Sequence, residues 1–123
     1  MNKLNIELEK ILKYNFKKSY LLEKALTHKS FNNNINNEKL EFLGDRVLGL
    51  IFAKNLIKIY PNDKEGIIDK KFANLVNKKT CLLVAKKLEL KKFITTGGSY
   101  KGLSRSDDKI ISDGLEALLG AIF

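Results

Sequence analysis

A chain of 123 residues that is 44% hydrophobic suits one domain spanning 1–123 with its own core, and excludes disorder along its whole length. The longest apolar run, Val47 to Ala53, is far short of the roughly 20 residues that cross a bilayer. With no signal-peptide pattern in MNKLNIELEKILKY, cytoplasmic residence without a membrane partner is expected. An excess of 23 Lys and Arg over 14 Asp and Glu gives a formal charge of +9. That charge favours a polyanionic partner, because clustered cations release counterions from phosphates, although it also suits a plain solvated surface.

Apolar residues recur at a period near 3.6, and no segment keeps the alternation of a strand, so the predicted fold is all-α. Leu4, Leu8, Ile11 and Leu12 line a first helix; Leu21, Leu22, Ala25 and Leu26 line a second. The Asn-rich tract from Asn32 to Asn37 reads as a loop, with Asn36 or Asn37 able to cap a long helix from Glu38 to Tyr60 that Pro61 stops. A further helix is expected from about Asn62, where N-x-x-E with Glu65 resembles a capping box, to Asn77. Another covers roughly Lys79 to Leu88 and holds the single Cys81, which cannot form an intramolecular disulfide and reads as a buried small hydrophobe. Thr95 to Asp108, rich in Gly, Ser and cations, reads as a loop before a last helix from about Lys109.

The helix from Glu38 to Tyr60 is apolar nearly all round, which predicts a central, buried element. On it Glu38, Glu41 and Asp45 fall within an arc of about 60°, and a second pair, Asp113 and Glu116, shares one face of the last helix. Four residues after Asp45 comes Gly49, and four after Glu116 comes Gly120. Small residues there are expected to let the two helices approach closely and bring the acid groups together. Crowded, partly buried carboxylates repel one another, so they must be protonated, paired with cations or bridged by a metal; hard oxygen donors suit Mg²⁺. Any one acid taken alone is as well explained by a cap or a lysine pair, Glu38 and Glu65 above all.

The run NNEKLEFLGDRVLGL resembles the signature motif of the ribonuclease III family, and ISDGLEALLGAI resembles its second acidic motif. THKSF at Thr27 to Phe31 and LVN at Leu75 to Asn77 also match, in the family's order and over nearly the whole chain. The resemblance implies an all-helical endonuclease domain that acts as a homodimer in RNA processing, rRNA processing included. Such a domain cleaves double-stranded RNA with Mg²⁺, or Mn²⁺ in its place, to 5′-phosphate and 3′-hydroxyl ends with short 3′ overhangs. It makes Glu41, Asp45, Asp113 and Glu116 the metal-binding cluster, with Asp45 and Glu116 catalytic. Glu38 and Glu65 match secondary acids of substrate handling and of the region near the dimer interface. Phe42 matches an aromatic that packs into the partner subunit, and reads equally as a core aromatic. Asn77 and Lys109 read as RNA-binding or site-orienting groups, or as capping and surface residues.

The basic excess offers Lys70, Lys71, Lys78, Lys79, Lys101 and Arg105 as candidates for RNA backbone contacts. Relatives usually continue past the second motif into more helix and a double-stranded-RNA-binding domain, so the domain is expected to be truncated at its C-terminal end. The Asn-rich loop is a second, insertion-like departure. A non-catalytic RNA-binding or scaffold module on the same fold is the alternative, and a basic protein-interaction domain a third reading; retention of all four acids favours the enzyme.

Overall fold

The computed structural model describes residues 2–98 and 107–123. Among these the order is α1 (Lys3–Leu12), α2 (Ser19–Ala25), α3 (Glu38–Ile59), α4 (Glu65–Leu75), α5 (Lys78–Lys87), a 3-10 turn (Leu90–Phe93) and α6 (Asp108–Ile122). The fold is all-α, and the described residues add one parallel bridge between Thr27 and Thr95. No helix among them is long and apolar enough to cross a membrane.

Local chemistry sets the helix boundaries. Asn2 caps α1 by accepting from the Asn5 N–H at 2.8 Å, and Lys13 ends that helix in the left-handed region. The buried Glu9 carboxylate accepts from the Phe16 N–H at 2.6 Å, which pins the connection into α2. Before α3 the two asparagines divide the work. Asn36 accepts from the Glu38 N–H at 3.1 Å, whereas Asn37 donates across to the Ala25 carbonyl at 3.2 Å. The capping box expected from Asn62 to Glu65 does not form: Tyr60 to Asp63 make a turn, Lys64 precedes the helix in extended conformation, and α4 starts at Glu65 with no side-chain cap. It also ends at Leu75 rather than Asn77, because Asn77 is extended and caps α5 instead.

The most deeply buried helix is α6. Every residue from Ile111 to Leu118 is buried, together with Gly120 and Ala121, and α2, α3, α5 and the 3-10 turn pack around it. Around it lie Leu22, Ala25, Leu40, Cys81, Ala85, Leu90 and Phe93, with Leu8 of α1 closing the core. The long helix α3 is central in that it runs against α6, but burial all round is not what the structure shows. Leu40, Gly44, Val47 and Leu56 face inward, while Phe42, Leu50, Ile51, Ile57 and Ile59 face solvent.

The crossing of α3 and α6 uses Gly44 and Gly120, which corrects the expectation for Gly49. A Cβ on Gly44 would run into the carbonyl of Glu116, and one on Gly120 into the carbonyl of Leu40. Gly49 lies five residues beyond Gly44, about 140° further round the helix, and faces Phe72 of α4 at ordinary contact distance. Gly44→Ala should therefore cost about 3 kcal/mol of stability in urea denaturation, because backbone rather than a flexible side chain must give way. Gly66→Ala, where a Cβ meets nothing within 4 Å, should instead add about 0.5 kcal/mol in the same measurement.

Candidate active site

Because α3 and α6 touch through glycine, the acids beside those glycines share one cleft. Its volume is about 410 Å³, and Glu38, Glu41, Phe42, Asp45 and Arg46 from α3, Lys78 from α5, and Lys109 and Glu116 from α6 line it. A smaller hollow of 220 Å³ lies between Asp45, Leu48, Asn77, Lys78, Cys81 and Glu116. Asp113 borders the cleft through its ion pairs with the two lysines.

Asp113 and Glu116 are 7% and 2% exposed, so each needs a cation or a proton. The Lys78 ammonium donates to Asp113 Oδ1 at 2.7 Å and to Glu116 Oε1 at 2.6 Å. Lys109, one helical turn before Asp113, donates to its Oδ2 at 2.6 Å. Burial would lower the Lys78 pKa, but the hydrogen bonds from Asp113 and Glu116 outweigh it and hold the ammonium above the ordinary lysine value. Lys109 is likewise raised, chiefly by its hydrogen bond to Asp113. Burial raises the Glu116 carboxyl despite Lys78, and raises Glu41, with the negative charge of Asp113 adding to the effect. Asp45 pairs with its neighbour Arg46 at 3.2 Å on the open side, where both side chains are more than half exposed and the pair contributes little stability.

Of the residues singled out in the sequence, Glu41, Asp45, Asp113 and Glu116 gather at this cleft, with Glu38 at its rim. Among the described residues, however, no three Asp, Glu, His or Cys side chains stand close enough to form a preassembled metal group. Glu65 opens α4 and is exposed, outside the cleft. Phe42 is 61% exposed beneath the Arg46 guanidinium, which lies 3.8 Å from its ring centroid; it is not a core aromatic of this chain. The Asn77 side chain is committed to backbone: it accepts from the Thr80 N–H at 2.9 Å and donates to the Ala73 and Asn74 carbonyls. Lys70 and Lys79 are exposed, Lys71 lies over the Tyr60 ring and pairs with Asp63, and Lys101 and Arg105 lie outside the described residues.

The cleft residue that sequence reasoning placed elsewhere is Lys78. The sequence offers it as a candidate for RNA backbone contact, and only the packing of α5 on α6 turns it toward the acids. THKSF proves to be a clasp. The His28 N–H donates to Thr95 at 2.9 Å, Ser30 Oγ accepts from the Gly97 N–H at 2.9 Å, and a Cβ on Gly97 would strike the Ser30 carbonyl.

The architecture is that of a helical domain whose acidic motifs face each other across a glycine crossing. A profile of ribonuclease-III-like domains matches residues 18–123. Ribonuclease 3 of Pelagibacter ubique is 57% identical over 118 residues, covering 96% of this chain and 53% of that protein. The crystal structure of the nuclease domain of ribonuclease III from Campylobacter jejuni superposes with a TM-score of 0.84 at 41% identity, over 99% of this chain and 83% of that one. A second structure of that domain, described as flexible in a region involved in dimer formation, gives 0.83 at 42% identity, over 94% and 82%. The chain belongs to the ribonuclease III family, and it spans about half the length of the curated relatives it matches.

Since Asn77 fixes where α5 begins, Asn77→Ala should cost about 1 kcal/mol in urea denaturation through loss of the cap. Asn77→Asp, which keeps the accepting oxygen, should restore most of it.

Proposed function

We propose that this chain is the catalytic domain of a Mg²⁺-dependent endoribonuclease that hydrolyses double-stranded RNA to 5′-phosphate and 3′-hydroxyl ends, acting as a homodimer in cytoplasmic RNA processing. The observation that carries the reading is the convergence of Glu41, Asp45, Asp113 and Glu116 on one cleft in a chain of this family. Their carboxylates are hard oxygen donors of the kind Mg²⁺ and Mn²⁺ take, and the pairing of lysines with Asp113 and Glu116 supports that reading. Those four acids would hold the metal, which when bound activates water and stabilises the leaving oxygen of an in-line displacement.

The chain's own residues account for the remainder. Buried Asp113 and Glu116 sit on a rigid, packed helix, which holds their oxygens in fixed positions. Lys109 and Arg46 bring positive charge to the cleft mouth, where phosphates approach. Exposed Lys70 and Lys79 suit the backbone of an A-form duplex, which is recognised by shape, phosphate and 2′-hydroxyl contacts. On α3, Phe42, Leu50 and Ile57 lie within about 80° of one another and are 61%, 67% and 59% exposed. An apolar stripe of that kind calls for a covering surface, and a second copy related by a two-fold axis would place equivalent clefts on opposite strands.

Incubated with duplex RNA and Mg²⁺, the protein should yield short duplexes, and Glu116→Gln should abolish cutting while keeping the helical circular dichroism and thermal transition. A Glu116→Gln protein that cuts like its parent overturns the assignment. The second reading, a non-catalytic RNA-binding module, is favoured by Lys78 satisfying both Asp113 and Glu116; salt-sensitive RNA binding with no Mg²⁺-dependent cutting would establish it. Phe42→Ala should weaken self-association by about 2 kcal/mol, read as roughly a thirtyfold rise in the dimer dissociation constant by analytical ultracentrifugation.

A further inference from the structure

Lys78 opens α5 and reaches across to α6, taking one oxygen from each of the two buried acids, Asp113 Oδ1 at 2.7 Å and Glu116 Oε1 at 2.6 Å. A Mg²⁺ ion binds carboxylate oxygens at about 2.0–2.1 Å, so an ion joining that pair of oxygens and the ammonium need the same space. Resting on the reading of the cluster as a metal site, we propose that Lys78 is a built-in counter-ion that competes with the divalent cation for Asp113 and Glu116. It thereby sets the metal concentration at which the cleft loads.

The geometry separates Lys78 from the other cation at the site. Lys109 sits on the same helix as Asp113 and takes its Oδ2, leaving Oδ1 and Glu116 free of it. Among the described residues, Lys78 is the cation that joins the two acids to each other. Its side chain is 57% exposed, so the ammonium can swing into water on its four-carbon stem while the backbone of α5 stays in place. Departure of the ammonium leaves two carboxylates buried and facing one another, a state that strongly favours capture of another cation. Metal-free protein is thus kept folded and charge-balanced by the same residue that resists metal entry.

Isothermal titration calorimetry with Mg²⁺ on the parent and on Lys78→Met, which keeps the stem and removes the charge, tests the proposal. Lys78→Met should bind Mg²⁺ about tenfold more tightly, melt at a lower temperature without metal, and gain more in melting temperature when Mg²⁺ is added. Lys79→Met removes the same charge from a neighbour hydrogen-bonded to neither acid, and should change the affinity by less than about threefold. Equal or weaker Mg²⁺ binding by Lys78→Met, or an equal gain in Lys79→Met, overturns the competition. Glu116→Gln tells this failure from failure of the metal-site reading. If Glu116→Gln binds Mg²⁺ like the parent, the acids are not the metal site; if it loses binding while Lys78→Met gains none, the site stands and the lysine's role falls. Should Lys78→Met not fold, the ¹⁵N ammonium resonance of Lys78 in the parent chain serves instead: it must move as Mg²⁺ is added, and an unmoved resonance overturns the proposal.

Discussion

Backbone contact between α3 and α6 at Gly44 and Gly120 is the constraint on which the rest depends. Two helices packed through ordinary side chains lie 8–10 Å apart between axes; here the missing Cβ atoms let carbonyls of one helix meet glycines of the other. Glu41 is three residues before Gly44, Asp45 one after it, and Glu116 four before Gly120, so closeness of the backbones becomes closeness of the acids. The remainder of α6 follows the same logic. Gly114, Ala117, Gly120 and Ala121 keep it slim enough for α2, α3, α5 and the 3-10 turn to gather round it, and its polar residues Ser112, Asp113 and Glu116 are buried with it.

Burying acids creates a charge problem, and the chain meets it from two directions. Lys109 answers from the same helix, at the i to i+4 spacing that lets a lysine reach a carboxylate one turn away. Lys78 answers from α5, whose start is fixed by the Asn77 cap, so an interaction across the molecule hangs on a hydrogen bond to Thr80. Glu41 has no such lysine hydrogen bond among the described residues, and its carboxyl is raised by burial and by Asp113. Attraction for cations at the cleft and for polyanions over the +9 surface therefore coexist in one small domain.

What the sequence made legible was whatever depends on helical register. The 3.6 period identified the helices, and the spacing of Glu41 with Asp45 and of Asp113 with Glu116 placed each pair on one face. What it could not show was which face meets which. A helix apolar all round offers no preferred side, so Gly49 was expected at the contact that Gly44 makes, and outward residues such as Leu50 looked buried. Asn62 carried a capping pattern that the turn from Tyr60 to Asp63 overrode, while Asn77, read as the end of one helix, is the cap of the next. The pairing of Lys78 was hidden for another reason: its partners lie 35 and 38 residues away, and a lysine pair at a helix start suits phosphate contact or solvent as well as it suits buried acids.

The apolar stripe on α3 and the cleft are not independent. Phe42 lines the cleft, stacks beneath Arg46, and belongs to the same exposed stripe as Leu50 and Ile57. Any surface that covers the stripe also excludes water beside Arg46 and its partner Asp45. That ion pair contributes little while both groups are solvated, and its strength grows as the local dielectric falls. Covering Phe42 would thus hold Arg46 in place and, through it, orient the half-exposed Asp45 carboxylate. Assembly through α3 would in this way also order the acidic site, because both draw on one helix, whose inner side is closed by Gly44 and whose outer side is left apolar.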